Sequence, residues 1–228
     1  MIKFVFLDLD DTILDFKMAE DVALRATLRE FGVEPTDAIV KRYSEINDSQ
    51  WKLLERGTLT RAEVKLRRFV LLFEELGVLC DAEAARAFYE KRLGVGHYFL
   101  DGALEMLNAL HGKYRLFIVS NGTTAVQKGR LASAAIEPFF ESIFLSEEVG
   151  SVKPEKLFFE RCFAEIAEFD PAQSIILGDS LTSDIQGGKN AGICTCWFNP
   201  FGKPHTAGIV PDHEVRTHAE FEALLKTL

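Results

Sequence analysis

The chain combines two kinds of hydrophobic pattern. Short apolar runs occur at residues 2–7, 115–119, 142–145, 174–177 and 193–198. Runs of this length and β-branched or aromatic content are typical of strands in a parallel sheet that is covered on both faces. Helical segments begin near residues 101, 122, 154, 183 and 219. This alternation of strand and helix predicts an α/β fold built on a Rossmann-like, doubly wound parallel sheet.

Residues 16–96 have a different texture, with helical patterns and no convincing strand. Residues 60–63 (Thr-Arg-Ala-Glu) form a capping-box pattern that opens a helix running to Leu76. Gly57 is expected to end the preceding helix, and Asp81 to cap the next one. Because the first strand belongs to the same sheet as the later ones, we predict a core domain of residues 1–15 and 97–228. An all-helical cap domain of residues 16–96 is inserted into it.

Composition narrows the class of protein. The 228 residues are 47% hydrophobic, which is enough for a substantial core, and carry a formal charge of −9. This charge argues against nucleic-acid or anionic-membrane partners. No apolar window approaches the roughly 20 residues of a membrane helix, and Lys3 interrupts the first apolar run, unlike a signal peptide. We expect a cytoplasmic monomer or homodimer whose partner is a small molecule.

Three acidic side chains, Asp8, Asp10 and Asp11, follow the first predicted strand. Strand ends of this kind border the crevice in which open α/β sheets bind ligands. Carboxylates this close repel one another unless a cation or a shifted pKa relieves the repulsion. The sequence therefore predicts a divalent metal site at this edge of the sheet.

Later strand ends add polar groups. Residues 120–122 (Ser-Asn-Gly) offer a hydroxyl and free N–H groups at a helix start, which can bind an anion or form an ordinary turn. Lys153 precedes Pro154 at a loop-to-helix junction, where it can meet a phosphate or carboxylate or stay exposed. Asp179 follows the fourth strand and should face the first acidic cluster. Asp184 can join it or simply cap a helix.

Taken together, these residues resemble the four motifs of the haloacid dehalogenase superfamily of phosphotransferases. The motifs occur in the expected order at residues 8–12, Ser120, residues 153–154, and residues 178–179 with Asp184. The resemblance covers essentially the whole chain. The helical block between the first two motifs is similar to the C1 cap of that superfamily.

The resemblance implies a phosphoryl-transfer mechanism. Asp8 would be the nucleophile that forms an aspartyl-phosphate, and Asp10 the general acid and base. Mg²⁺ would be the cofactor, held by Asp8, the backbone carbonyl of Asp10, Asp179 and, through water, Asp184. The second acid at Asp10 favours phosphoryl hydrolysis or transfer over dehalogenation.

The resemblance also implies a phosphate-binding set. Ser120, the amide of Asn121 and Lys153 would stabilise the oxygens of the phosphoryl group. These groups are expected to cancel the repulsion between the substrate phosphate and the Asp8 carboxylate. The substrate would therefore be a phosphate monoester.

The choice of substrate rests on shorter stretches. Residues 56–60 and 68–69, and residues 119–122 and 147–150, are similar to the noncanonical pyrimidine nucleotidases, which act on nucleoside 5′-monophosphates. By resemblance, Arg56, Gly57 and Thr58 would belong to a specificity loop of the cap. From the residues alone, this glycine turn is equally well a connector between two helices.

Other functions remain open at this point. Broad-specificity sugar-phosphate or phosphoglycolate phosphatases and hexose-phosphate mutases share the same motifs. A receiver-like signalling domain also phosphorylates an aspartate beside Mg²⁺ and a lysine, but the second acid at Asp10 and the helical insertion disfavour it. A catalytically silent binding protein on the same fold is the last alternative.

Overall fold

The computed structural model of the protein describes residues 1–205 and 208–228. Within it the chain forms two compact units. The first consists of Met1–Phe16 and His97–Leu228, and the second of Lys17–Gly96. Among the described helices, none is both long and apolar enough to cross a membrane.

The first unit is built on a six-stranded parallel sheet. Its strands are β1 (Phe4–Leu7), β2 (Arg115–Ser120), β3 (Ser142–Leu145), β4 (Ser174–Gly178), β5 (Cys194–Phe198) and β6 (His213–Val215). Their order in the sheet is β3-β2-β1-β4-β5-β6. All pairs are parallel, so the predicted doubly wound sheet is confirmed. The topology places β1 between β2 and β4, near the middle of the sheet.

The second unit contains helices. They are α1 (Phe16–Glu30, which begins at the last residue of the first unit), α2 (Asp37–Glu55), α3 (Arg61–Leu76) and α4 (Ala82–Leu93). The capping box is formed: Thr60 accepts a hydrogen bond from the Glu63 N–H, and the Glu63 carboxylate accepts one from the Thr60 N–H. Asp81 caps α4, as the sequence indicates.

Helices cover both faces of the sheet. They are α5 (Ala103–Leu110), α6 (Thr124–Ala134), α7 (Ser146–Val149), α8 (Lys156–Ala164), α9 (Gln186–Ala191) and α10 (His218–Leu225). In β1, Val5 and Leu7 pack in one apolar cluster with residues of α5 and α10. Phe4 and Phe6 point the other way and pack with α8. Burial on both faces explains why β1 has an unbroken apolar sequence.

The helices begin close to the predicted positions, with small offsets. The helix expected near Gly122 begins at Thr124, and the one expected near Pro154 begins at Lys156. In both cases the capping residues before the helix, Thr123 and Glu155, keep an extended ψ. Strand β6 was not predicted, because a three-residue edge strand with the sequence His-Glu-Val contains no apolar run.

Candidate active site

The Asp8 side chain lies where β1 ends, between its two neighbouring strands. Leu7 is in register with Ile118 of β2 and Leu177 of β4. The Asp8 N–H continues the ladder by donating to the Leu177 carbonyl at 3.0 Å. Asp8 is only 7% exposed, so its carboxylate is buried at the carboxyl edge of the sheet.

Lys153 is the cationic partner of Asp8. Its Nζ donates to Oδ1 of Asp8 at 2.7 Å, to Oδ1 of Asp184 at 2.6 Å and to the Val119 carbonyl at 2.7 Å. The backbone of Lys153 is fixed by the Asn121 side chain, which accepts from the lysine N–H at 2.9 Å and donates to its carbonyl at 2.8 Å. Two motifs expected to cooperate in phosphate binding are therefore joined directly.

Two further acids complete a cluster. One carboxylate oxygen from each of Asp8, Asp179 and Asp184 lies within 4.8 Å of the others. Asp184 belongs to a π-helical turn, Leu181–Ile185, that follows β4. A Cβ on Gly178 would lie 2.2 Å from Cγ of Asp184, so only glycine leaves room for this arrangement. The Trp197 indole N–H donates to the Asp179 carbonyl at 2.8 Å and so fixes the backbone at Asp179.

Burial makes this cluster costly to ionise. It raises the pKa of Asp8 from 3.8 to about 8; Lys153 opposes the rise, and Asp184 and Asp10 add to it. Burial and the neighbouring carboxylates Asp184 and Asp8 raise the pKa of Asp179 well above its ordinary value. For Lys153, burial lowers the pKa, but the charges of Asp184 and Asp8 outweigh burial and hold the pKa above its usual range.

The cluster fits a divalent cation. Three carboxylates against one ammonium group leave two negative charges when all are ionised. Oxygen ligands in this number are those that Mg²⁺ prefers, and a bound cation would reverse the rise in the pKa of Asp8 and Asp179. The carboxylates of Asp8, Asp179 and Asp184 form this set; the side chain of Asp10 does not.

The Asp10 side chain is held elsewhere, by two residues of α6. Nε2 of Gln127 donates to Oδ2 of Asp10 at 2.7 Å, and Nη1 of Arg130 forms a short ion pair with Oδ1. Sequence reasoning missed both partners. The spacing indicates at most that they share a buried face, since Gln127 and Arg130 are three residues apart and in phase with Val126 and Leu131; it does not point to Asp10.

Ser120 ends β2 next to these groups and is 1% exposed. Its Oγ accepts hydrogen bonds from Nε2 of Gln127 at 2.9 Å and from the Gly122 N–H at 3.1 Å. A hydroxyl oxygen has two acceptor positions, so the hydrogen of Ser120 is what remains to be donated. The structure thus brings together the site residues predicted from the four motifs, from Asp8 to Asp184.

The proposed specificity loop lies in the second unit. Arg56 follows α2, Gly57 takes a left-handed conformation (φ 70°), and the Thr58 N–H donates to the Leu53 carbonyl at 2.9 Å. All three residues of the loop are exposed. Within its own unit, the loop has the geometry of a glycine-ended helix C-terminus.

A parallel α/β sheet with a buried acid cluster and a lysine at its carboxyl edge is a Rossmann-like fold with a candidate site for phosphate or metal chemistry. The haloacid dehalogenase-like hydrolase family matches residues 5–198 of this chain. The chain belongs to this family, as the resemblance implied.

Individual relatives match over nearly the full length. The HAD-hydrolase YfnB of Bacillus subtilis is 39% identical over 221 residues, which are 97% of this chain and 94% of YfnB. The pyrimidine 5′-nucleotidase PynA of Streptococcus pneumoniae is 39% identical over 219 residues, or 96% of this chain and 92% of PynA. A crystal structure of YfnB bound to magnesium superimposes with a TM-score of 0.94 and 38% identity, covering 98% of both chains.

Proposed function

We propose that this chain is a Mg²⁺-dependent phosphomonoesterase that acts through an aspartyl-phosphate on Asp8. Its proposed substrates are nucleoside 5′-monophosphates, with pyrimidine nucleotides first. The observation that carries the proposal is the position of Asp8, buried between Lys153 and the carboxylates of Asp179 and Asp184.

The first step uses Asp8 and Asp10. An Asp8 oxygen forms a bond to phosphorus while the bond from phosphorus to the leaving oxygen breaks. Asp10 donates its proton to that oxygen, which leaves as an alcohol. Asp10 then takes a proton from a water molecule, which attacks phosphorus and releases phosphate and Asp8.

Lys153 and Ser120 stabilise the negative charge of the phosphoryl group. The ammonium group of Lys153 is within 2.7 Å of Asp8 and offsets repulsion between that carboxylate and the incoming phosphate. The Ser120 hydroxyl donates to a phosphoryl oxygen. Asp8, Asp179 and Asp184, with the backbone carbonyl of Asp10, would hold Mg²⁺, which neutralises phosphoryl charge and keeps Asp8 ionised.

The substrate class rests on similarity to PynA, whose name is pyrimidine 5′-nucleotidase. We also propose that residues 16–96 are a C1 cap that selects the substrate. Within it, Arg56 and Thr58 offer an exposed cation and a hydroxyl, which suit the polar edges of a base or sugar, and Gly57 makes the turn between them.

Phosphate release from a substrate panel tests the reaction and its specificity. The panel contains UMP, CMP, dTMP, AMP, glucose 6-phosphate and phosphoglycolate, each with Mg²⁺ and with EDTA. We expect Mg²⁺-dependent release, fastest with the pyrimidine nucleotides. A panel led by the sugar phosphate or phosphoglycolate would contradict the nucleotidase assignment, and isomerisation without release would indicate a mutase.

The intermediate is tested with added methanol. If every substrate passes through the same aspartyl-phosphate, the ratio of methyl phosphate to inorganic phosphate is the same for all substrates. Asp8→Asn should abolish release, whereas Asp170→Asn, at the opposite end of β4, should not. A ratio that varies with the leaving group, or activity in Asp8→Asn, would show that Asp8 is not the nucleophile.

The cap assignment has its own test. Arg56→Ala and Thr58→Ala should change the ratio of kcat/KM between UMP and AMP. Arg42→Ala, a charge removal elsewhere in the same unit, should leave this ratio unchanged. Equal ratios in all three variants would show that the turn is only a connector.

A further inference from the structure

We propose that Gln127 and Arg130 of α6 are positioning residues that hold the Asp10 carboxyl for proton transfer, and that Gln127 also orients the Ser120 hydroxyl. The inference rests on the proposed function, because it takes Asp10 as the acid and base of that reaction. It assigns a role to two side chains that come from a helix outside the four motifs.

The two contacts fix both oxygens of Asp10. Gln127 donates to Oδ2 at 2.7 Å and Arg130 pairs with Oδ1, while Nη1 of Arg130 also donates to Oε1 of Gln127 at 3.3 Å. The three side chains therefore form a closed set of hydrogen bonds. A carboxyl tied through both oxygens cannot rotate freely, and the geometry needed for proton transfer is narrow.

The burial of Gln127 and Arg130 has a cost in free energy that a purely structural role would not explain. Gln127 is 1% exposed and Arg130 is fully buried, although the Asp10 side chain remains 28% exposed. Burying a guanidinium carries a desolvation cost that its ion pair only partly offsets, and apolar side chains at such positions are often as stabilising. The Asp10 side chain, which pairs with Arg130, is not one of the three carboxylates of the proposed cation site.

Gln127 connects Asp10 to the phosphate-binding set. The same Nε2 that donates to Asp10 donates to Oγ of Ser120 at 2.9 Å. The Gln127 side chain passes the turn at Gly122 to reach Asp10 and Ser120. A Cβ at Gly122 would lie 2.2 Å from Nε2 of Gln127. Glycine at this position is therefore explained by the passage of the Gln127 side chain.

Two substrates with different leaving groups test the inference, because loss of a proton donor slows the departure of a basic oxygen far more than that of a weakly basic one. p-Nitrophenolate leaves without a proton at neutral pH, whereas the ribose oxygen of UMP needs one. For Arg130→Met we expect kcat/KM for UMP to fall about 10- to 100-fold, mainly in kcat, and kcat/KM for p-nitrophenyl phosphate to fall by less than about threefold. Gln127→Leu should lower kcat/KM for both substrates, because Gln127 also contacts Ser120, and should lower it more for UMP. If UMP is not a substrate, the best alkyl phosphate of the panel takes its place.

Matched variants distinguish the loss of contacts that position Asp10 from the loss of a positive charge on the helix. Lys128→Met removes a cation from the exposed face of the same helix and should keep the wild-type ratio between the two substrates. Arg130→Lys should recover part of the lost UMP activity. Gln127→Glu places a second carboxylate against Asp10 and should lose more than Gln127→Leu. If Arg130→Met does not unfold cooperatively, the two Gln127 variants decide the outcome.

A double-mutant cycle distinguishes this inference from the function on which it rests. If Arg130 acts through Asp10, adding Arg130→Met to Asp10→Asn should change UMP turnover by less than about twofold. Additive losses, or equal losses on both substrates, would overturn the positioning role and leave the proposed function intact. Wild-type UMP turnover by Asp10→Asn would instead overturn the role of Asp10 itself.

Discussion

Asp8→Asn should abolish activity and yet stabilise the cation-free protein. In the folded chain without a cation, burial raises the pKa of Asp8 to about 8, against an ordinary value of 3.8. Between these two values the folded state binds a proton that the unfolded state releases, so stability falls as pH rises. An asparagine does not titrate, and its Oδ1 can still accept the hydrogen bond from Lys153.

The size of the effect follows from the same shift. One pKa unit corresponds to about 1.4 kcal/mol, so at neutral pH the raised pKa costs the folded protein up to about 4 kcal/mol. Part of this gain is lost because Lys153 would keep only one charged partner, Asp184. We expect a net stabilisation on the order of 1–4 kcal/mol near pH 7, which for a chain of this length raises the unfolding midpoint by several degrees.

Thermal and urea unfolding in EDTA at about pH 7.5 and about pH 4 measures this effect. Asp8→Asn should be more stable than the wild type at the higher pH and nearly equal to it at the lower pH, where Asp8 is protonated in the folded state and about 40% protonated in the unfolded state. Mg²⁺ should stabilise the wild type more than Asp8→Asn, because the substitution removes one of the three carboxylates that would hold the cation.

Asp170→Asn is the control with the opposite sign. Hydrogen bonds from Gln173 and from the Ala172 N–H hold the pKa of Asp170 below its ordinary value, so its contribution to stability is present at neutral pH and lost in acid. The same substitution there should destabilise the protein at about pH 7.5. Destabilisation by Asp8→Asn in EDTA, or a gain that is equal at both pH values, would refute the reasoning.

Three other changes have clear expected outcomes. Lys153→Met should lower kcat/KM about 10²- to 10³-fold in the phosphate-release assay, and activity within tenfold of the wild type would contradict its role at the phosphate. Gly178→Ala should lose both activity and stabilisation by Mg²⁺, because its Cβ would overlap Asp184; an active Gly178→Ala would show that the cluster can rearrange. Thr60→Ala removes one half of the capping box and should cost about 1 kcal/mol of stability, measured as a lower unfolding midpoint. Thr60→Ser should keep the midpoint of the wild type.

The sequence predicted the features that depend on local pattern. β1, β2, β3, β4 and β5 were found because each is an apolar run, and the capping box at Thr60 because its signature spans four residues. The acidic residues Asp8 and Asp179 were placed at one edge because carboxyl ends of parallel strands meet there. These predictions need no knowledge of contacts between distant side chains.

Predicting the partners of Asp10 required knowledge of contacts between distant side chains. Gln127 and Arg130 are polar residues on a helix, and from the sequence a polar position is read as facing solvent. They lie more than a hundred residues from Asp10 in the chain, so spacing alone could not pair them. The helices expected near Gly122 and Pro154 begin two residues later, because Thr123 and Glu155 keep an extended ψ.

The central place of β1 has a consequence for biosynthesis. The strand that precedes the proposed nucleophile is synthesised before the strands it pairs with, whose partner residues Ile118 and Leu177 follow more than a hundred residues later. Until then its N–H and C=O groups lack strand partners and its phenylalanines lack the helix that covers them. A nascent chain stalled before β4 should therefore be prone to aggregation, and cells with impaired chaperones should accumulate this protein in insoluble form.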